Sequence, residues 1–161
     1  MLLFLHGAGG FDEDRSLAAA LAEELGVELT MPRLPDEDMS FEGWAAPVRQ
    51  ALSERGVNDL VAAHSFSGSI LVRVLAERDW SVRRALLLAM PNWGIDGWDV
   101  GQYDLDGAEP PQEVTLHHCV DDEVVPFAHL ALNSAQLPSA GVRVHARGGH
   151  QFDGQAAALL S

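Results

Sequence analysis

The chain has 161 residues, with 24 Asp and Glu against 10 Arg, no Lys, and a formal net charge of −14. That length predicts one domain, 1–161, and a hydrophobic share of 47% excludes a disordered chain. So acidic a surface repels phosphate backbones and anionic lipid, so neither nucleic acid nor a membrane is an expected partner.

The apolar start, residues 1–5, is too short for a membrane helix or the apolar region of a signal peptide. It reads as a buried strand, and the expected location is the cytoplasm. His6-Gly7-Ala8-Gly9-Gly10 ends it. Leu17, Leu21 and Leu25 then mark a helix over 16–25, closed by Gly26. A second strand spans 27–30. Phe41, Trp44, Ala45, Val48 and Leu52 mark a second helix, and Pro47 places its regular part from 44 onward. A third strand covers 59–63 and a helix 67–77. The continuous apolar run 85–89 reads as a strand buried on both faces. Residues 92–111, rich in Gly, Asp and Trp, have no period. A fifth strand (114–118), a helix (127–137), a sixth strand (142–145) and a last helix (152–160) complete the chain. The one cysteine, Cys119, excludes an internal disulfide framework and fits a reducing compartment.

Strand–helix alternation with short connections predicts a parallel sheet covered by helices on both faces. In such sheets the chemistry lies on loops beyond the carboxyl ends of the strands. Those loops carry a serine, an acid and a histidine in that chain order. Ser65 follows the third strand, flanked two places away by the small residues Ala63 and Ser67, as a sharp strand-to-helix turn requires. Such a turn lifts the hydroxyl above the sheet and aims a helix N-terminus at it. Ser67 centres a rival frame, but the apolar strand running into His64 favours Ser65. Asp121, Asp122 and Glu123 follow the fifth strand; Asp122 is the first choice to orient an imidazole, and Asp121 the second. His150 follows Gly148 and Gly149, which permit a tight return over the sheet edge. The backbone amides of Ala8 and Phe66 are candidates for an oxyanion hole if the first and third strands are neighbours. Trp93 and Trp98 are candidates to line a substrate pocket. His117-His118-Cys119 does not predict a metal site, because adjacent strand residues point to opposite faces.

Four pieces thus stand in order: Leu5-His6-Gly7, Ala63-His64-Ser65-Phe66-Ser67-Gly68, Asp122-Glu123-Val124-Val125-Pro126 and Gly149-His150. Together they resemble the α/β-hydrolase superfamily, which often writes them as an HG loop, G-H-S-x-G-G, D-x-x-V-P and G-H. The short chain resembles the compact, lidless branch of retinoblastoma-binding protein 9-like small serine hydrolases. The resemblance implies an αβα sandwich without a cap domain. It implies Ser65 as nucleophile, Asp122 as acid, His150 as base, and the Ala8 and Phe66 amides as oxyanion hole. Ala63 and Ser67 stand where the family usually has glycines, and the chain opens directly on the strand that carries the HG loop. Only 92–111 is available to cover a pocket.

The expected fold is a three-layer sandwich with a six-stranded, mostly parallel sheet ordered 2-1-3-4-5-6. The expected activity is hydrolysis of small esters by a carboxylesterase-type serine hydrolase, with an acyl-enzyme intermediate and no cofactor or metal. The expected partner is a small-molecule ester, and the expected state a monomer or small homo-oligomer. The alternatives are a non-catalytic binding module on the same fold, and hydrolysis of a thioester or amide.

Overall fold

The structure is a computed structural model that describes all 161 residues. Six strands form one parallel sheet: β1 (Leu2–Leu5), β2 (Leu29–Thr30), β3 (Leu60–His64), β4 (Arg84–Leu88), β5 (Glu113–Cys119) and β6 (Gly141–His145). Their order is β2-β1-β3-β4-β5-β6, as expected. The helices are α1 (Arg15–Leu25), α2 (Phe41–Ser53), α3 (Phe66–Ala76), α4 (Ala128–Gln136) and α5 (Ala156–Leu159).

Alternation along the strands divides the core in two. Leu3, Leu5, Val61, Ala63, Ala85 and Leu87 face α2, α3 and α4, and pack with Trp44, Val48, Ile70, Leu71 and Leu130. Leu2, Phe4, Ala62, Leu86 and Leu88 face the other way, onto Leu17, Ala18 and Leu21 of α1 and Leu159 of α5. Each large side chain buried this way contributes roughly 1.5–3 kcal/mol. No helix is long and apolar enough to cross a membrane.

Three boundaries differ from the sequence expectation by more than one residue. α2 begins at Phe41, not 44, with Pro47 inside it. The Ser40 hydroxyl caps its first turn, accepting from the Gly43 amide at 3.0 Å, and buried Trp44, Ala45 and Val48 hold that turn to the core. The proline then costs only the bond to the Gly43 carbonyl. β2 is two residues, because the chain is still leaving the left-handed cap at Gly26 when it reaches Val27. The last helix starts at Ala156 rather than 152, because Phe152 (φ 53°) and Gly154 (φ 70°) adopt left-handed turns that no helix accommodates.

Between β5 and β6 the buried rings of His117 and His145 stack, with Nδ1 of His117 3.1 Å from Nε2 of His145. His117 Nε2 has no partner. Burial first, then the charges of His145 and Arg143, push the His117 imidazole down to about 3. The unfolded chain therefore binds a proton below about pH 6.5 that the folded chain refuses, and stability falls as pH drops through that window. By pH 4.5 the expected loss is about 2–3 kcal/mol. Buried carboxylates with lowered values act in a lower window, below about pH 4. Urea unfolding at pH 7 and 4.5 checks this: His117→Leu should shrink the difference, leaving the part from His129 and His145, which burial also holds down, and an unchanged difference would contradict it.

Candidate active site

The register of the sheet places the ends of β1 and β3 side by side, with Leu5 opposite Ala63, and sets His64 opposite Leu88. The loops that follow meet at one edge and enclose a cleft of about 340 Å³. Ser65, His150, Ala8, Phe66, Trp93 and Trp98 all line it.

Ser65 stands between β3 and α3 with φ 53° and ψ −123°, a conformation L-residues rarely adopt. Its amide donates to the Leu88 carbonyl at 2.8 Å, which fixes the turn from the neighbouring strand. The loop 6–10 passes so close that a methyl on Gly7 would stand 3.1 Å from the Ser65 Cβ, a contact that would push the two apart by a few tenths of an ångström. Ser67 is fully buried, and its hydroxyl donates toward the carbonyls of Leu5 (2.8 Å) and His64 (2.9 Å). A hydroxyl bridge from the elbow to β1 thus replaces the glycine that the resemblance expects at this place. Ser67 has no route to the cleft.

His150 Nδ1 donates to Asp122, 3.0 and 3.1 Å from the two carboxylate oxygens. The Asp122 carboxylate also accepts the amides of Val124 (2.8 Å) and Val125 (2.9 Å), and His118 Nε2 lies 3.3 Å away. Burial opposes its ionisation, but the bonds from His118 and His150 and the two amides outweigh that and hold it well below the usual carboxylate range. Asp121 does not meet the ring. It accepts the amides of Gly148 and Gly149 at 3.2 and 2.9 Å, while Glu123 accepts the His150 amide at 3.3 Å. These two acids, Asp121 having been the second choice to orient the imidazole, instead fasten the loop that carries His150. Gly148 and Gly149 have φ of 132° and 59°, as that return requires.

No hydrogen bond joins the Ser65 hydroxyl to His150; the two share the cleft. The Ala8 amide donates to no protein acceptor, and the Phe66 amide, at the first helical position of α3, has no intrahelical one. His6 is structural: Nδ1 donates to the Gly7 carbonyl (2.7 Å) and Nε2 accepts the Leu34 amide (2.8 Å). The buried Cys119 thiol is pushed up to about 12 by burial and by the carboxylates 121–123, which leaves it unreactive as a nucleophile near neutrality.

The irregular segment 92–111 builds the apolar wall. Asn92 fastens it to α4, its amide donating to His129 Nδ1 (2.8 Å) and its side chain to Asn133 and Gln136. Trp93 then meets Phe66, Trp98 and Tyr103 edge to face, at centroid distances of 5.8, 5.1 and 5.0 Å. The Trp93 indole donates to Ser69 (2.7 Å) and the Tyr103 hydroxyl to the Met39 carbonyl (2.7 Å). The polar handles of Trp93 and Tyr103 are spent within the protein, so these two offer a substrate ring surface. Tyr103, like Trp93 and Trp98, was readable in sequence as a candidate for this wall; Met39 was not, since it reaches the cleft from a separate loop.

No family model and no curated sequence gives a significant match to the chain. Solved structures do. Est1E from Butyrivibrio proteoclasticus aligns over 98% of this chain and 82% of its own, with 17% identity and a TM-score of 0.74. Alpha/beta hydrolase domain-containing protein 10 from mouse aligns over 99% and 85%, at 14% and 0.73. The esterase domain of a Rhodothermus marinus protein aligns over 98% and 82%, at 15% and 0.68. The chain has the α/β-hydrolase fold.

Proposed function

We propose that the protein is a serine hydrolase that cleaves small, uncharged carboxylic esters through an acyl-enzyme on Ser65. The observation that carries this reading is a serine in a strained elbow and a His150 backed by buried Asp122, both opening on one cleft. Ser65 Oγ attacks the ester carbonyl while His150 Nε2 takes its proton, which requires the two atoms to close to about 3 Å in the substrate complex. The negative oxygen that forms is held by the amides of Ala8 and Phe66, at the positive end of α3. Collapse breaks the bond to the alcohol oxygen, and His150 returns the proton to that leaving group. A water molecule, deprotonated by His150, then releases the acid and restores the hydroxyl of Ser65. Asp122 keeps the His150 Nδ1 proton in place and stabilises the cation. No metal or cofactor enters these steps.

The cleft supports an uncharged substrate with an apolar acyl or alcohol group. Its ring-lined wall binds by area, and Glu13 at the cleft, added to the net charge of −14, disfavours anions. A structure of Est1E with ferulic acid bound shows a neighbour of the same fold taking an aromatic acid, in keeping with an aromatic wall. A panel of p-nitrophenyl esters tests the reading. Acetate and phenylacetate should both turn over. Trp98→Ala, which removes one half-exposed ring, should lower kcat/KM for phenylacetate about 2–10-fold, the worth of an aromatic contact, and acetate less than twofold. An active site that turns over thioesters or amides and no ester would overturn the substrate class. A cleft that binds without turnover would favour the binding module.

A further inference from the structure

At the floor of the cleft lies a second carboxylate–imidazole pair that the proposed chemistry does not use. Asp14 and His64 are each 1% exposed. Asp14 Oδ2 accepts from His64 Nδ1 at 2.9 Å and from the Gly7 amide at 2.8 Å. Its other oxygen accepts from Gln151 Nε2 at 3.0 Å. His64 Nε2 donates to the backbone carbonyl of His150 at 2.9 Å. The rings of His64 and His150 lie 4.5 Å apart between centroids. Four bonds therefore join the oxyanion loop (Gly7), the elbow (His64, next to Ser65) and the loop of the base (His150, Gln151), three segments far apart in sequence.

The chemistry of the two groups is selective. A neutral imidazole has one donor and one acceptor, but both ring nitrogens of His64 face acceptors, so both donate. Burial would disfavour a charged Asp14, yet the bonds from His64, Gly7 and Gln151 hold its carboxyl below the usual range. A buried ion pair is a poor device for stability alone, since well-packed apolar residues of the same volume usually serve as well. It does fix geometry, because each bond has a direction and both charged groups lie out of water.

We infer that Asp14 and His64 are positioning residues: a buried charged clasp that sets the oxyanion loop, the nucleophile elbow and the His150 loop relative to one another. The kinetic consequence rests on the proposed Ser65 chemistry; the structural one does not. Asp14→Asn keeps the shape and removes the charge, and His64→Phe keeps a ring and removes both donors. In each, kcat for p-nitrophenyl acetate should fall about 10–100-fold while KM moves less than threefold, the mark of misaligned groups rather than of lost binding.

The second readout is amide hydrogen exchange on the same full-length variants, with imidazole nitrogen spectra of the native chain. The Gly7 amide, which donates to Asp14, should exchange at least tenfold faster in both variants, while amides in β3 and β4 keep their native rates. The native spectra should show a proton on each ring nitrogen of His64. Unchanged kcat together with unchanged exchange would overturn the clasp. So would faster exchange spread evenly over the sheet, with activity falling only in step with the folded fraction. Should the native chain hydrolyse no ester, the functional reading fails on its own, and the exchange and nitrogen spectra still decide the clasp.

Discussion

Replacing Ser65 by Ala should remove ester turnover by roughly 10³-fold or more, and His150→Ala should do the same. The two losses should not add, because nucleophile and base form one unit: without the base the hydroxyl is a weak nucleophile, and without the hydroxyl the base has no proton to take. Folding should survive both changes, since both side chains line the cleft rather than the core. Ser67→Ala separates the elbow from its neighbour. Its hydroxyl is fully buried and spent on the carbonyls of Leu5 and His64, so its loss should cost some stability and little rate. Steady-state rates and thermal melts on the three variants check the set. An inactive Ser67→Ala beside an active Ser65→Ala would move the nucleophile.

Asp122→Asn should lower kcat/KM by about 10²–10⁴-fold. The carboxylate accepts the proton on His150 Nδ1 and so leaves Nε2 with its lone pair toward the serine. An amide in its place can instead donate to Nδ1, which puts the ring proton on Nε2 and spoils the base. Because the native carboxyl is held well below the usual range, Asp122 stays ionised across any assayable pH, and the acid limb of the rate profile does not report it. Stability moves with pH in the same direction as for His117, but in a lower window: the contribution of Asp122 is present above about pH 4 and is lost only as pH falls further. Asp121→Asn is the control. It touches Gly148 and Gly149 but not the ring, so the expected loss is within about tenfold. A large loss in Asp121→Asn with a small one in Asp122→Asn would reverse the roles.

The sheet was legible because its cause is local. Period-two burial, apolar runs of four or five residues and glycine-bounded loops each act within a few positions, and right-handed crossovers leave few orders for the strands. The proposed triad was legible for a related reason, since its members each follow a strand and the fold delivers strand ends to one edge. Local signals failed where a distant partner decides. Pro47 reads as a helix breaker until the Ser40 cap and the seat of Trp44 are known. Asp14 lies 50 residues from His64 and 137 from Gln151, and no pattern in sequence announces bonds of that span. His64 reads as a residue flanking a motif, and only the facing acceptors give it a task. Asp122 was preferred to Asp121 on the resemblance of 122–126 to D-x-x-V-P; in the fold the amides of Val124 and Val125 hold its carboxylate beside the His150 ring.

The central claim is that Ser65 is a nucleophile activated by His150. Reaction of the intact protein with a fluorophosphonate probe, followed by peptide mapping, tests it most directly, because the probe bonds only to an activated serine and needs no knowledge of the substrate. The account predicts one adduct, on Ser65, absent in Ser65→Ala and strongly slowed in His150→Ala. A native protein that takes up no probe, or an adduct that persists in Ser65→Ala, would contradict it.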